Sequence, residues 1–120
     1  MSLIATIAVA LVAVLHVWIL VLEMFLWTKP AGLKAFRQTP GKARDTAVLA
    51  ANQGLYNGFL AAGLIFGLLY PAEPAALHIK SFFLVCVAVA GVYGAATAAK
   101  KILYIQTMPA AIALALLWVG

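Results

Sequence analysis

Glu23 and His16 are the side chains best suited to chemistry in this sequence, because both sit inside a long apolar run where an ionisable group needs a reason to be. On translocon-insertion scales a charge at the centre of a membrane helix costs at least about 2.5 to 3.5 kcal/mol, so Glu23 must have hydrogen-bond partners or carry a proton. His16 precedes it by seven positions, two helical turns, which puts both on one face of a helix. Such a pair either fixes the packing of neighbouring helices or forms a ligand or proton site. A metal site needs three or four ligands, and with His78 expected on the opposite membrane side no metal is expected here.

A second apolar run opens with polar residues, Asn52, Gln53, Tyr56 and Asn57, within the stretch from Ala50 to Gly63. With a rise of about 1.5 Å per residue, Asn52 and Gln53 fall at a depth similar to Glu23, and Asn57 and His16 lie deeper. The same reckoning brings Tyr93, Tyr104 and Gln106 into this half of the membrane. Polar side chains from four helices are thus expected to converge on a pocket open to the cytoplasm. Arg44, Lys100 and Lys101 would form its rim, so the expected ligand is anionic, or at least polar at one end.

The elements that must position these residues follow from composition. The chain has 120 residues, 67% of them hydrophobic and 9% charged, with a mean hydropathy of +1.10. A soluble domain of this length cannot bury so much apolar side chain, and the expected solvent is lipid. About 20 apolar residues cross a bilayer core. The sequence therefore predicts an all-α, four-helix membrane bundle forming a single domain over 1–120, with spans at about 2–27, 46–70, 76–99 and 102–119. The first run is too long for a signal sequence and has no basic segment before it, so it is expected to remain as a span. Pro30 and Gly32 are read as helix breakers, Pro40 and Gly41 as a turn, and Asp45 or Thr46 as the cap of the second span. Leu33 and Phe36 among the charges suit a short interfacial helix. Pro71 ends the second span, and Pro109 is expected to kink the fourth.

Seven of the eight basic residues fall in or beside the first and third connections. By the positive-inside rule these face the cytoplasm, leaving both termini and the hairpin with Glu73, His78 and Lys80 outside. Trp27, Tyr70 and Trp118 fit the aromatic belts. The formal charge of +5 has no polar domain to carry it, so lipid headgroups rather than nucleic acid are the expected counterions. Cys86 is the only cysteine and reads as a packing residue. With only two serines, no glycine-rich phosphate loop and no redox pair, standard nucleophilic and nucleotide chemistry is set aside. Gly54 with Gly58, and Gly63 with Gly67, permit close helix approach, either within a protomer or between protomers.

The stretch Leu22-Glu-Met-Phe-Leu-Trp, with His16 upstream, and the stretch from Asn52 to Leu64 resemble the small bacterial integral membrane proteins grouped as domain of unknown function 1304. The resemblance covers essentially the whole chain and implies a four-span protein of the bacterial inner membrane, with no established activity. The layout is also similar to the membrane-associated proteins of eicosanoid and glutathione metabolism, four-span homotrimers with a basic first connection. That second resemblance implies glutathione as a possible cofactor, with Arg44, Asn52 and Tyr104 comparable to binding residues. The family's glutamate on span two is unmatched here, since Tyr56 or Asn57 occupies that turn. It also favours a homo-oligomer, a trimer above others. Three functions follow: a ligand-binding membrane protein, a glutathione-dependent transferase or peroxidase, and an oligomeric transport or proton-relay protein.

Overall fold

The computed structural model describes residues 2–119. Among these the chain is all-helical, with α1 (Leu3–Met24), α2 (Pro30–Phe36), α3 (Pro40–Asp45), α4 (Ala47–Leu69), α5 (Ala75–Thr97), a π-helical turn (Leu103–Thr107) and α6 (Met108–Val119). The Ser2 hydroxyl accepts from the Ala5 amide at 3.1 Å and so starts α1. Pro30 and Pro40 each occupy the first turn of a short helix, where a missing N–H costs nothing. Pro40 and Gly41 thus open α3 rather than make a turn, and Gly32 is helical rather than a breaker. Pro74 occupies the N-cap of α5, and the preceding Glu73 side chain accepts from the Leu77 amide at 3.2 Å.

Two of these helices, α1 and α5, are long and apolar enough to cross a membrane. The length of α4 also suffices at 23 residues, but Asn52, Gln53 and Asn57 dilute its apolar character. The last apolar helix, Leu103–Val119, is shorter than the others. The four expected spans therefore correspond to four helical segments of unequal apolarity.

The chain divides into a unit of Leu15–Phe59 and a unit of the remaining residues, with α1 and α4 contributing to both. In the second of these, Ala5, Val9, Val12 and Ala13 of α1, Leu64 of α4, Leu84 and Val87 of α5, and Ala110, Ala113 and Leu117 of α6 make one apolar core. Lys80 is buried in this unit, 1% exposed and inside α5. That corrects its expected place in the outer hairpin. The reason is register, since Ala76, Lys80, Leu84, Val87 and Gly91 form the buried stripe of α5. His78, two residues away, is exposed.

The exposed faces of the long helices also carry many large apolar side chains. Leu3, Ile7, Leu11 and Trp18 of α1, Val48, Leu49, Phe59 and Leu69 of α4, and Phe82 and Val89 of α5 are all exposed. In water so extensive an apolar exterior would drive association, whereas in lipid it costs nothing.

The π-helical turn precedes Pro109, whose missing N–H cannot continue the regular ladder. Its Thr107 hydroxyl donates to the Ala88 carbonyl at 2.9 Å. At Gly91 this crossing is so close that a Cβ would collide with the Thr107 hydroxyl and lie 2.8 Å from its backbone nitrogen. At Gly94 the nearest atom would be an Ile102 methyl at 3.1 Å. Gly91→Ala should therefore destabilise the detergent-solubilised protein by about 1 to 3 kcal/mol, the usual range for overpacking. Gly94→Ala, where a side chain can give way, should cost less; thermal unfolding of the two variants side by side checks the order.

Candidate functional site

Within the Leu15–Phe59 unit, the inward face of α4 is a stripe of small residues with one amide among them: Ala50, Gly54 and Asn57 are buried. The inward positions of α1 there are His16, Leu22 and Glu23. A Cβ on Gly54 would stand 2.7 Å from Met24 Cγ and 3.0 Å from Glu23 Cβ. Only glycine lets α4 approach α1 this closely at that level.

The close approach brings two polar side chains together. Asn57 Nδ2 donates to Glu23 Oε1 at 2.6 Å, a buried bond between groups 34 residues apart in sequence. Each of the two residues is 8% exposed, while His16 is wholly enclosed. His16 is not without an interaction of its own. The partner of Glu23 is thus Asn57, deeper in the helix than the expected Asn52 and Gln53.

Those two residues lie elsewhere. Asn52 is exposed and turns its amide back to the Val48 carbonyl of its own helix at 2.9 Å. Gln53 and Tyr56 are exposed, and Tyr56 stacks at a tilt near Phe59 with ring centroids 6.0 Å apart. Arg44 is exposed on α3. Tyr93, Tyr104, Lys100 and Lys101 belong to the other unit and are exposed, and Gln106 there is half-buried. The structure accordingly assembles a small centre of Glu23 and Asn57, with His16 buried on the same face of α1.

The connection from α1 to α4 is better ordered than its sequence suggested. Trp27 Nε1 donates to the Thr46 hydroxyl at 3.1 Å, and that hydroxyl donates to the Lys42 carbonyl at 2.9 Å. Thr46 precedes α4 as expected, but its side chain serves α3 and Trp27. The signal that could have found this contact is the pairing of a belt tryptophan with the one hydroxyl at the mouth of the next helix.

Among the described residues no three His, Cys, Asp or Glu side chains come together as a metal-binding group. Chemically, the centre offers a carboxylate oxygen and an amide with both donor and acceptor capacity.

A family model described as "Protein of unknown function (DUF1304)" matches residues 10–118. The chain is also 30% identical over 108 residues to the protein named "Uncharacterized protein YpaA" of Lactococcus lactis subsp. lactis (strain IL1403), covering 88% of this chain and 89% of that protein. No solved structure matches. These matches bear on the first of the two resemblances, and the likeness to glutathione-metabolising proteins draws nothing from them.

A hydrogen bond between membrane helices is worth about 0.6 kcal/mol on average and up to about 1.7. A double-mutant cycle of Glu23→Ala and Asn57→Ala in detergent should return a coupling energy in that range. Strict additivity would mean that the two side chains do not interact.

Proposed function

As the chain belongs to the DUF1304 family of proteins of unknown function, we propose that it is a multi-pass protein of the bacterial cytoplasmic membrane whose Glu23–Asn57 centre holds the polar head of a small amphiphilic molecule. The observation that carries this reading is the 2.6 Å bond between Glu23 and Asn57 on the inward faces of helices whose outward faces are apolar. A carboxyl group retained in hydrocarbon is expensive, and most such groups mark a ligand or ion site. Glu23 lies one residue from the end of α1, so a head group can reach it from the membrane surface while an apolar tail stays in lipid. Asn57 supplies a donor beside the carboxyl, a combination that suits a ligand carrying both a donor and an acceptor.

In this reading α1, α4, α5 and the segment Leu103–Val119 are the four spans of one domain. The basic connection between α1 and α4 faces the cytoplasm, and the hairpin at Glu73 faces outward. Support comes from the two helices long and apolar enough to cross, from the apolar exterior, and from the placement of five basic residues between Lys29 and Arg44.

The test is a thermal-stability screen of the detergent-purified protein against fatty acids, isoprenoid alcohols, haem and glutathione, with Glu23→Gln in parallel. A ligand at one hundred times its dissociation constant should stabilise the wild type by about 2.7 kcal/mol. The gain should vanish in Glu23→Gln, and a gain of equal size in that variant would remove Glu23 from the site. A response to glutathione alone would favour the transferase reading instead.

A further inference from the structure

The connection from α1 to α4 carries Lys29, Lys34, Arg37, Lys42 and Arg44, all exposed, against one exposed acid, Asp45. A solvated basic loop would need none of the structure that this segment has. Gly32 is buried where α2 crosses the end of α1, so tightly that a Cβ there would collide with the Leu26 carbonyl and lie 2.9 Å from Trp27 Cα. Trp27 and Phe36 pack their rings with centroids 4.8 Å apart, and the Trp27 indole is tied to Thr46 at the start of α4. Thr39 caps α3, accepting from the Lys42 amide at 3.3 Å. Arg37 ends α2 in the left-handed region, with φ of 51°, while the Gln38 amide bonds to the Leu33 carbonyl at 3.0 Å. Five cations are therefore held on a folded support at the end of a membrane-capable helix, next to an indole of the kind enriched at the headgroup level.

We propose that α2 and α3 form a preorganised platform that binds the phosphate of anionic phospholipid headgroups, phosphatidylglycerol rather than a zwitterionic lipid. Charge complementarity decides the occupant: clustered lysine and arginine at a membrane surface attract anionic lipid, and a zwitterionic headgroup offers no net charge to oppose them. Arginine adds forked donors that match phosphate oxygens. Because the support is already folded, little ordering entropy opposes capture of a headgroup. The platform is separate from Glu23 and Asn57, so it stands or falls independently of the ligand proposed there.

The experiment titrates phosphatidylglycerol and phosphatidylcholine into the full chain in a neutral detergent and follows the unfolding temperature. Two variants run beside the wild type: Lys34→Gln/Arg37→Gln/Lys42→Gln, which removes three charges from the platform, and Lys100→Gln/Lys101→Gln, which removes two elsewhere. Phosphatidylglycerol should stabilise the wild type at concentrations at least tenfold lower than phosphatidylcholine, and 1 M salt, where the screening length is about 3 Å, should remove that advantage. The triple variant should lose the advantage and keep its response to phosphatidylcholine; the Lys100/Lys101 variant should retain it. The proposal is overturned if the triple variant keeps the full preference, if both variants lose it equally, or if inorganic phosphate stabilises the wild type as well as the lipid does.

Discussion

An ionisable carboxyl group placed among helices with apolar exteriors sets the constraint to which the rest of this structure answers. Glu23 is buried to 8% exposure, so its hydrogen-bond capacity must be met largely within the protein. Asn57 meets it at 2.6 Å. That distance requires α4 to come close, which in turn requires Gly54 where any side chain would meet Glu23 and Met24. One buried acid thus accounts for Asn57 on the inward face of α4 and for the glycine one turn before it; Asn52, Gln53 and Tyr56 are exposed and lie outside that account.

The same economy holds at the ends of the helices. Short helices start at prolines, a serine and a threonine take up free amides, and the one belt tryptophan at the end of α1 is hydrogen-bonded to the threonine that precedes α4. Within the connection Thr39 and Thr46 are hydrogen-bonded, while Gln38 Oε1 is buried and has no hydrogen-bond partner among the described residues. The five cations of the connection are exposed, which is the division of labour on which the proposal of a headgroup surface rests.

Much of this could be read from residue order alone. Long apolar runs bounded by proline gave the four major helical segments to within a few residues, and a seven-residue spacing placed His16 and Glu23 on one face, where both are buried. Depth was less informative than rotation. Asn52 and Gln53 sit near the level of Glu23 along their helix, but the inward stripe of α4 passes through Ala50, Gly54 and Asn57 and leaves them outside it. Lys80 is expected with the outer hairpin because the positive-inside count leaves it on that side. The spacing of Ala76, Leu84, Val87 and Gly91, with position 80 in register, held the contrary signal. Pro40 and Gly41 signalled a turn because that pair serves both turns and helix starts, and only the capping Thr39 distinguishes the two.

The contact between Glu23 and Asn57 can be measured directly in a bilayer, because the chain contains two glutamates, at 23 and 73, and two asparagines, at 52 and 57. With carbon-labelled glutamate and nitrogen-labelled asparagine, solid-state dipolar recoupling reports any carboxyl carbon close to an asparagine side-chain nitrogen. The account predicts a strong short-range signal in the wild type that persists in Asn52→Leu and disappears in Asn57→Leu. No signal in the wild type, or a signal lost only with Asn52, would contradict it.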